Sequence, residues 1–419
     1  MKDLRTIILA AGKGTRMKSD IPKVLHKVCG VPIIDYILNI TKSIGSLKTY
    51  VVLGHKSQLV AEHLSDKYKV ISQPKLLGTG DAVKVTANEF KNYNGSVLIL
   101  CGDTPLLNKH VIRSIVRRHK KMKADVTFLT AVVHDPGGYG RVIRDDKGHA
   151  VAIREDKDAI GFERNISEIN VGVYCFRSKE LFAELKEIKL NTLKKEFYLT
   201  DIIEIFQDKK LKIETIETDD PREGLGVNTR LDLAYAENII RERILNEWML
   251  NGVTIVDPKN TYIHSQAKIG RDTVIHPFTF IEANVAIGRN CQIGPFARLR
   301  PGVRLGDSVI IGNFTEVSRT KMGNKSIMKH FSYLGDARVG TQVNIGAGTI
   351  TANYDGQNKN VTHIGDKAFI GCDSVLIAPV KIGSKAVVGA GSVVTKKKNI
   401  PPDSVVVGVP ARIVSRRNK

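Results

Sequence analysis

Apolar and polar positions follow one another along this chain in two different rhythms. Up to about residue 230, short apolar runs at Thr6–Ala11, Thr49–Gly54, Val97–Cys101, Val126–Val133 and Val171–Phe176 read as strands. Between them, Ile33–Ile44 and Lys109–Lys120 carry apolar residues at helical spacing. Strand–helix alternation predicts a layered α/β fold with a mostly parallel sheet and ligands at the carboxyl ends of its strands. Leu231–Leu250 then reads as an amphipathic connecting helix, stopped by Asn251-Gly252.

Beyond that helix the period becomes six. Ile263, Ile269, Ile275, Ile281, Ile287, Ile293, Leu299, Leu305, Ile311 and Val317 keep it without a miss. After two one-residue slips it resumes at Ile364, Ile370, Leu376, Ile382, Val388 and Val394, and glycine often follows the aliphatic residue. Six fits neither a helix nor a simple alternating strand; it is a solenoid period, three units to a triangular coil. The polar stretch Thr351–Thr362 interrupts it, and a long loop on a regular scaffold is a candidate for function. The expected organisation is therefore 1–230, a linker helix 231–252, and a β-helix over 253–419.

Composition narrows the class. Apolar residues make up 42% of the 419 and charged residues 26%, as in soluble globular proteins, and no run is long enough for a membrane span. The five cysteines have no paired spacing, so neither a disulfide framework nor a zinc site is expected. The net charge is +21, with 23 Lys and Arg against 10 Asp and Glu from residue 252 onward. Only 6% of residues are aromatic, the basic residues are spread along the chain, and the one tight cluster is Lys396–Lys398. No nucleic-acid motif accompanies the charge, and phosphorylated small molecules account for it as well.

The first strand runs into Leu9-Ala10-Ala11-Gly12-Lys13-Gly14-Thr15-Arg16-Met17, followed by Pro22-Lys23. A Gly-rich turn after a strand lets backbone N–H groups approach a phosphate. The string is neither a P-loop nor a dinucleotide fingerprint. It resembles the sugar nucleotidyltransferase signature. Other pieces follow in order: Gln73 and Gly78-Thr79 in a loop-rich segment, Asp103 after an apolar strand, Gly140, Glu155, Asn170 in E-I-N-V-G and Asn228 in G-V-N.

Over nearly its whole length the chain resembles the bifunctional N-acetylglucosamine-1-phosphate uridylyltransferase/glucosamine-1-phosphate N-acetyltransferase family. The resemblance implies a Rossmann-like first domain, a left-handed β-helix second domain, a cytoplasmic enzyme, and a homotrimer without nucleic-acid partners or membrane insertion. It implies that Leu9, Ala10, Ala11, Gly12, Arg16 and Lys23 hold the triphosphate of UTP and the sugar-1-phosphate. Gln73, Gly78 and Thr79 would read uracil, and Gly140, Glu155 and Asn170 would bind the amino sugar. Asp103 and Asn228 would hold Mg²⁺. Phosphoryl transfer of this kind needs positioning and charge neutralisation more than a covalent nucleophile.

In the solenoid the segments I-G-P-F-A-R-L-R-P-G from Ile293, Y-L-G-D from Tyr333, N-I-G-A-G-T from Asn344 and N-Y-D-G from Asn353 carry the same resemblance. It implies His330 as general base, with Arg300, Tyr333 and Asn344 on the sugar phosphate and hydroxyls. Ala347, Asn353, Tyr354, Cys372 and Ala390 would line the acetyl-CoA cosubstrate. The chain departs from the family pattern at Ser318, where a Lys is usual, at Cys372, where a Ser is usual, and at Gly408, near a usual Arg. Arg319 follows Ser318, and strand alternation would turn it to the other face. The alternative to a bifunctional enzyme is a uridylyltransferase whose β-helix is structural or acylates another amino sugar.

Overall fold

The computed structural model describes residues 3–54, 57–192 and 194–416, and divides into two compact units, 1–237 and 238–419. In the first unit, seven strands lie in the order Ile213–Glu217, Val126–Val132, Glu168–Arg177, Ser96–Cys101, Leu4–Ala10, Lys48–Leu53 and Lys69–Ser72. Pairing is parallel except along Glu168–Arg177, which runs antiparallel to both neighbours. A hairpin, Arg141–Arg144 with Ala150–Arg154, branches from that strand.

Alternation decides what each strand buries. Leu4 and Ile8 point to one face with Leu98 and Leu100, where Ile34, Ile37 and Leu38 of helix Ile33–Ser43 and Ile112, Ile115 and Val116 of helix Lys109–Met122 cover them. Ile7, Val97 and Ile99 point to the other face, against Val83, Leu181, Ile203 and Phe206. Both sheet faces are thus closed, and only the strand ends stay open. All five expected strands and both expected helices are found, with ends moved by at most three residues. The Gly-rich turn leads into a single 3₁₀ turn, Thr15–Met17, rather than directly into an α-helix, which begins at Ile33.

The connecting helix spans Arg230–Leu250, and the boundary between the units falls within it. Ala236, Ile239, Ile240, Ile244 and Leu245 are buried, but Leu231, Tyr235 and Leu250 are exposed, so the expected amphipathic stripe holds only in the middle of the helix.

In the second unit, two- to four-residue strands stack into three parallel sheets, a triangular left-handed β-helix. Ile275 pairs with Ile293 and Ile293 with Ile311, eighteen residues per coil, and all three are fully buried. The first sheet begins at Thr254, the second at Tyr262 and the third at Lys268. At the corner after the third sheet, glycine is required by packing: a Cβ on Gly270 would lie 2.6 Å from the backbone of Gly288. Antiparallel pairing of Ser404–Val407 with Arg412–Arg416 ends the stack.

Both period slips have one location. Coil pairing drops to seventeen residues where Arg304 meets Lys321 and where Lys321 meets Arg338, so the corner between the second and third sheets is shortened at Arg319 and again at Asp336. Both residues take left-handed backbone conformations, with φ of 48° and 51°. The polar loop leaves the next coil at that same corner, between Ile350–Ala352 and Thr362–Ile364. The irregularities of the solenoid are therefore stacked on one another.

Candidate functional site

The first strand sets one wall of a cleft of about 590 Å³ at the carboxyl end of the first unit's sheet. Leu9, Ala10, Ala11, Gly12, Lys23, Gln73, Gly78, Thr79, Asp103 and Glu155 all line it. Gly12 has no packing reason to be glycine, since an added Cβ would meet nothing within 4 Å; it faces open cleft. Gly14 has one, a φ of 62°. Gly78 is also fixed by geometry: its φ is 97°, and an added Cβ would lie 2.6 Å from the Phe197 carbonyl oxygen. That close approach holds the Gly78–Thr79 turn against the Lys194–Leu199 segment, where Thr79 Oγ1 accepts from the Leu199 N–H at 3.1 Å.

Charge converges at the end of Ser96–Cys101. The Lys23 ammonium donates to Asp103 Oδ2 and, at 3.0 Å, to Asn228 Oδ1. Arg16 Nη2 donates to the same amide oxygen at 3.0 Å. The Asp103 carbonyl accepts from Val227 N–H at 2.8 Å, and Asp232 Oδ2 accepts from Asn228 and Thr229 N–H, so the Asn228 loop is held at both ends. Four residues taken from distant parts of the sequence thus form one cluster.

Gln73 is buried and donates through Nε2 to the Gly78 carbonyl at 3.1 Å and to Asp81 Oδ2 at 2.8 Å. Both amide protons are engaged, which leaves Oε1 as its acceptor toward a ligand. Burial raises the Glu155 carboxyl above its usual range, while the Thr200 hydroxyl, donating at 2.8 Å, acts the other way. Burial first and Glu155 second push Asp201 up to about 6. Gly140 and Asn170 are joined by an N–H···O=C bond of 2.8 Å from Asn170 to Gly140, and Asn170 Nδ2 donates to the Tyr174 hydroxyl at 2.6 Å; neither lines the cleft itself. Sequence reasoning missed Glu196 and Tyr198, which complete the wall. They lie in K-E-F-Y-L-T-D, a mixed polar and aromatic string without periodicity. Cys101 also lines the cleft, but burial raises its thiol to about 12, so it is no nucleophile.

In the second unit the coil register explains the spacing of the candidate residues. Met328, Ile345, Ile370, Val388 and Val406 pair successively in the first sheet. His330, Ala347, Cys372, Ala390 and Gly408 each stand two residues after them, in one column along the corner between the first and second sheets. Backbone bonds tie the column together: Asp373 N–H to the Ala347 carbonyl and Gly391 N–H to the Cys372 carbonyl. His330 and Cys372 are exposed.

Tyr333 belongs to the second sheet and Asn344 to the first, on either side of that column. Arg300 donates to Glu316 Oε1 at 2.8 Å. Arg319 makes a two-pronged bond to Asp336, at 2.6 and 2.8 Å, and Asn353 Nδ2 donates to the same carboxylate. Arg319 Nη1 also donates to Ser318 Oγ at 2.8 Å. The expectation that Arg319 turns away from Ser318 is thus corrected: the strand stops at Ser318, and the left-handed turn brings the guanidinium back to it. Tyr354 is exposed, its hydroxyl donating to the Gly356 carbonyl within the polar loop.

A cleft lined by a Gly-rich first turn, with cations, a carboxylate and an amide gathered at a neighbouring strand end, defines a nucleotidyl-transferring enzyme. The Nucleotidyl transferase family model matches residues 5–233, and the bacterial transferase hexapeptide (six repeats) model matches 284–319 and 362–396. The chain is 40% identical to the bifunctional protein GlmU of Halalkalibacterium halodurans, covering 97% of this chain and 96% of that protein. It is 42% identical to the bifunctional protein GlmU of Heliobacterium modesticaldum (96% and 94%) and 41% to that of Streptococcus pyogenes (96% and 94%). The chain belongs to the bifunctional GlmU family. The resemblance read from its motifs is borne out, and with it a transferase with two catalytic modules. No helix among the described residues is long and apolar enough to cross a membrane.

Proposed function

We propose that the second unit acetylates glucosamine-1-phosphate from acetyl-CoA, and that the first unit transfers uridylyl from UTP to the N-acetylated product, releasing pyrophosphate. The observation that carries uridylyl transfer is the convergence of Arg16, Lys23, Asp103 and Asn228 at a strand end, where Lys23 and Asp103 line the cleft. The sugar phosphate oxygen attacks the α-phosphorus of UTP. Lys23 and Arg16 neutralise phosphate charge, Gln73 and the Gly78–Thr79 turn seat the base, and Glu155 seats the sugar.

Asp103 and Asn228 supply two hard oxygen donors, and the ammonium of Lys23 already rests against both, so the spot favours a cation. Among the described residues no group of three or more His, Cys, Asp or Glu side chains could hold a metal without help. The pair therefore fits a Mg²⁺ that takes most of its ligands from phosphates and water. That ion would neutralise charge on the triphosphate; Lys23 would then turn from Asp103 toward phosphate.

For acetyl transfer, His330 takes the proton of the sugar amine as that amine attacks the thioester carbonyl, and coenzyme A leaves as its thiol. The Ala347, Cys372 and Ala390 column offers a continuous wall of small side chains for coenzyme A. Arg319, held by Asp336 beside Ser318, supplies the cation that Ser318 lacks. Tyr333 and Asn344 flank the His330 corner from the second and first sheets, and a second copy of the chain packed there would close the site around the sugar. The first sheet turns Val274, Ile310, Ile327, Phe369, Val387 and Val405 outward, an apolar ladder suited to such packing. We therefore read the enzyme as a homotrimer working in the cytoplasm. A mass-spectrometric product assay with UTP, Mg²⁺ and acetyl-CoA tests the scheme. Conversion of both glucosamine-1-phosphate and its N-acetyl form to UDP-N-acetylglucosamine supports it. Conversion of the N-acetyl form alone leaves uridylyl transfer standing, with a solenoid that is structural or acylates another amino sugar.

A further inference from the structure

The positive charge that looks dispersed in the sequence is sorted in the fold. The eight outward positions of the third sheet pair in the order Lys268, Ala286, Arg304, Lys321, Arg338, His363, Lys381 and Asn399. Five are Lys or Arg, none is acidic, and the five cations are exposed. The first sheet turns no charged residue outward along Val274, Gln292, Ile310, Ile327, Asn344, Phe369, Val387 and Val405. The second carries one cation and one anion, Arg298 and Glu316. A generally basic surface would load all three faces alike.

Among the described residues, none of the five ladder cations is in an ion pair; Arg338 gives hydrogen bonds only to the Arg319 and Ala337 carbonyls. Along the adjoining corner, Lys325, Lys367 and Lys385 add a second rank. Two acids of that corner are engaged locally, Asp307 accepting from Arg289 N–H and Asp366 from Thr341 N–H and hydroxyl, while Asp272 and Asp403 stand at its two ends.

We propose that this face is a docking surface for an anionic lipid bilayer. The row from Lys268 to Lys381 covers six coil steps, or roughly 29 Å at the usual inter-strand spacing of about 4.8 Å. Successive coils keep side chains stacked in file: the rings of Tyr262 and Phe280 lie within 1° of parallel, those of Phe278 and Phe296 within 4°, and those of Phe296 and Phe314 within 12°. The row is thus straight and its support flat. A duplex backbone winds away from a straight row within half a turn, about 17 Å, whereas a leaflet meets the whole row at once. Apart from the single imidazole of His363, the outward ladder has no aromatic side chain, so it lacks the row of rings on which successive unpaired bases stack. It has no apolar side chain larger than Ala286, so the contact is electrostatic adsorption without insertion.

The test is co-sedimentation of the full-length protein with sucrose-loaded vesicles, either pure phosphatidylcholine or with 30 mol% phosphatidylglycerol added. At low salt the protein should partition onto the anionic vesicles alone, and each cation near the leaflet contributes about fivefold to that partition. The variant Arg304→Gln/Lys321→Gln/Arg338→Gln/Lys381→Gln should lose about two to three orders of magnitude in partition, and the wild type in high salt at least about tenfold. A control that removes four exposed cations from the first unit, Lys179→Gln/Lys186→Gln/Lys189→Gln/Lys210→Gln, should bind within about threefold of wild type. Circular dichroism and thermal melts verify that both units of each variant stay folded. Equal losses in the two variants reduce the effect to net charge and overturn the proposal. So does unchanged binding by the ladder variant, or tighter binding to duplex or single-stranded nucleic acid than to the vesicles at the same salt.

Discussion

The two units solve the placement of reactive groups in opposite ways. In the first, residues far apart in sequence meet because a sheet gathers strand ends: Arg16, Lys23, Asp103 and Asn228 share hydrogen bonds across separations of up to 212 residues. In the second, every candidate residue is placed by counting coils. His330, Ala347, Cys372 and Ala390 are neighbours because of register alone. The first strategy encloses a cleft within one chain. The second sets residues along one corner and its two flanking sheets, open to whatever packs against them. A gathered site is sensitive to any one group in its cluster; a counted site is sensitive to register and to what packs against it.

The sharpest break in that comparison is Asp103→Ala. It should lower uridylyl transfer by about 10³-fold or more, because cations and phosphates lose their shared anchor, and leave acetyl transfer unchanged. Separate coupled assays on the two sugars measure both. Next is His330→Ala, expected to lower acetyl transfer by about 10²- to 10⁴-fold with uridylyl transfer intact. Loss of both activities in either variant would mean that the units are not catalytically separate.

A finer comparison comes from Arg319→Gln. It should raise the KM for glucosamine-1-phosphate about tenfold or more with a smaller change in kcat, as expected for loss of a charge-assisted bond worth ~1.5–3 kcal/mol. Arg319→Lys should restore part of it. Gly78→Ala should cost ~1–3 kcal/mol of stability in the first unit through its left-handed φ and the Phe197 carbonyl, seen as a lowered Tm.

The smallest effect is Asp201→Asn. The folded carboxyl is raised to about 6, above its unfolded value, so it binds protons more tightly when folded. Stability from this group is therefore lost as pH rises from about 4 to 6, and the cost persists at neutral pH. Removing it should stabilise the protein by roughly 1 kcal/mol at pH 7, allowing for partial solvent screening, and hardly at all at pH 4. Thermal melts at the two pH values measure the difference.

Much of this was legible in the residues. Strand ends mark where Asp103 and the Gly-rich turn lie, and a period of six cannot be packed as anything but a coil. Three things were not legible, each for a physical reason. Glu196 and Tyr198 come from a segment whose wall position depends on the Gly78 turn packing on Phe197, a contact with no local signature. The return of Arg319 to Ser318 depends on a shortened corner, which overrides strand alternation. The sorting of cations onto one face needs the pairing register, since positions eighteen residues apart look unrelated along the chain.

The constant register of the early coils also makes that part of the molecule a graduated ruler. Residues 270–287 form one complete repeat between units of the same pattern, with Lys268 paired to Ala286 and Ala286 to Arg304. Excising those eighteen residues would splice like onto like, shortening the prism by a single notch of about 4.8 Å while preserving every later alignment. Removing five or seven would put every later core residue out of step unless a corner absorbed the difference, as happens at Arg319 and Asp336. Evolution or an engineer can therefore set the reach of this arm in whole increments, as one changes the number of links in a chain.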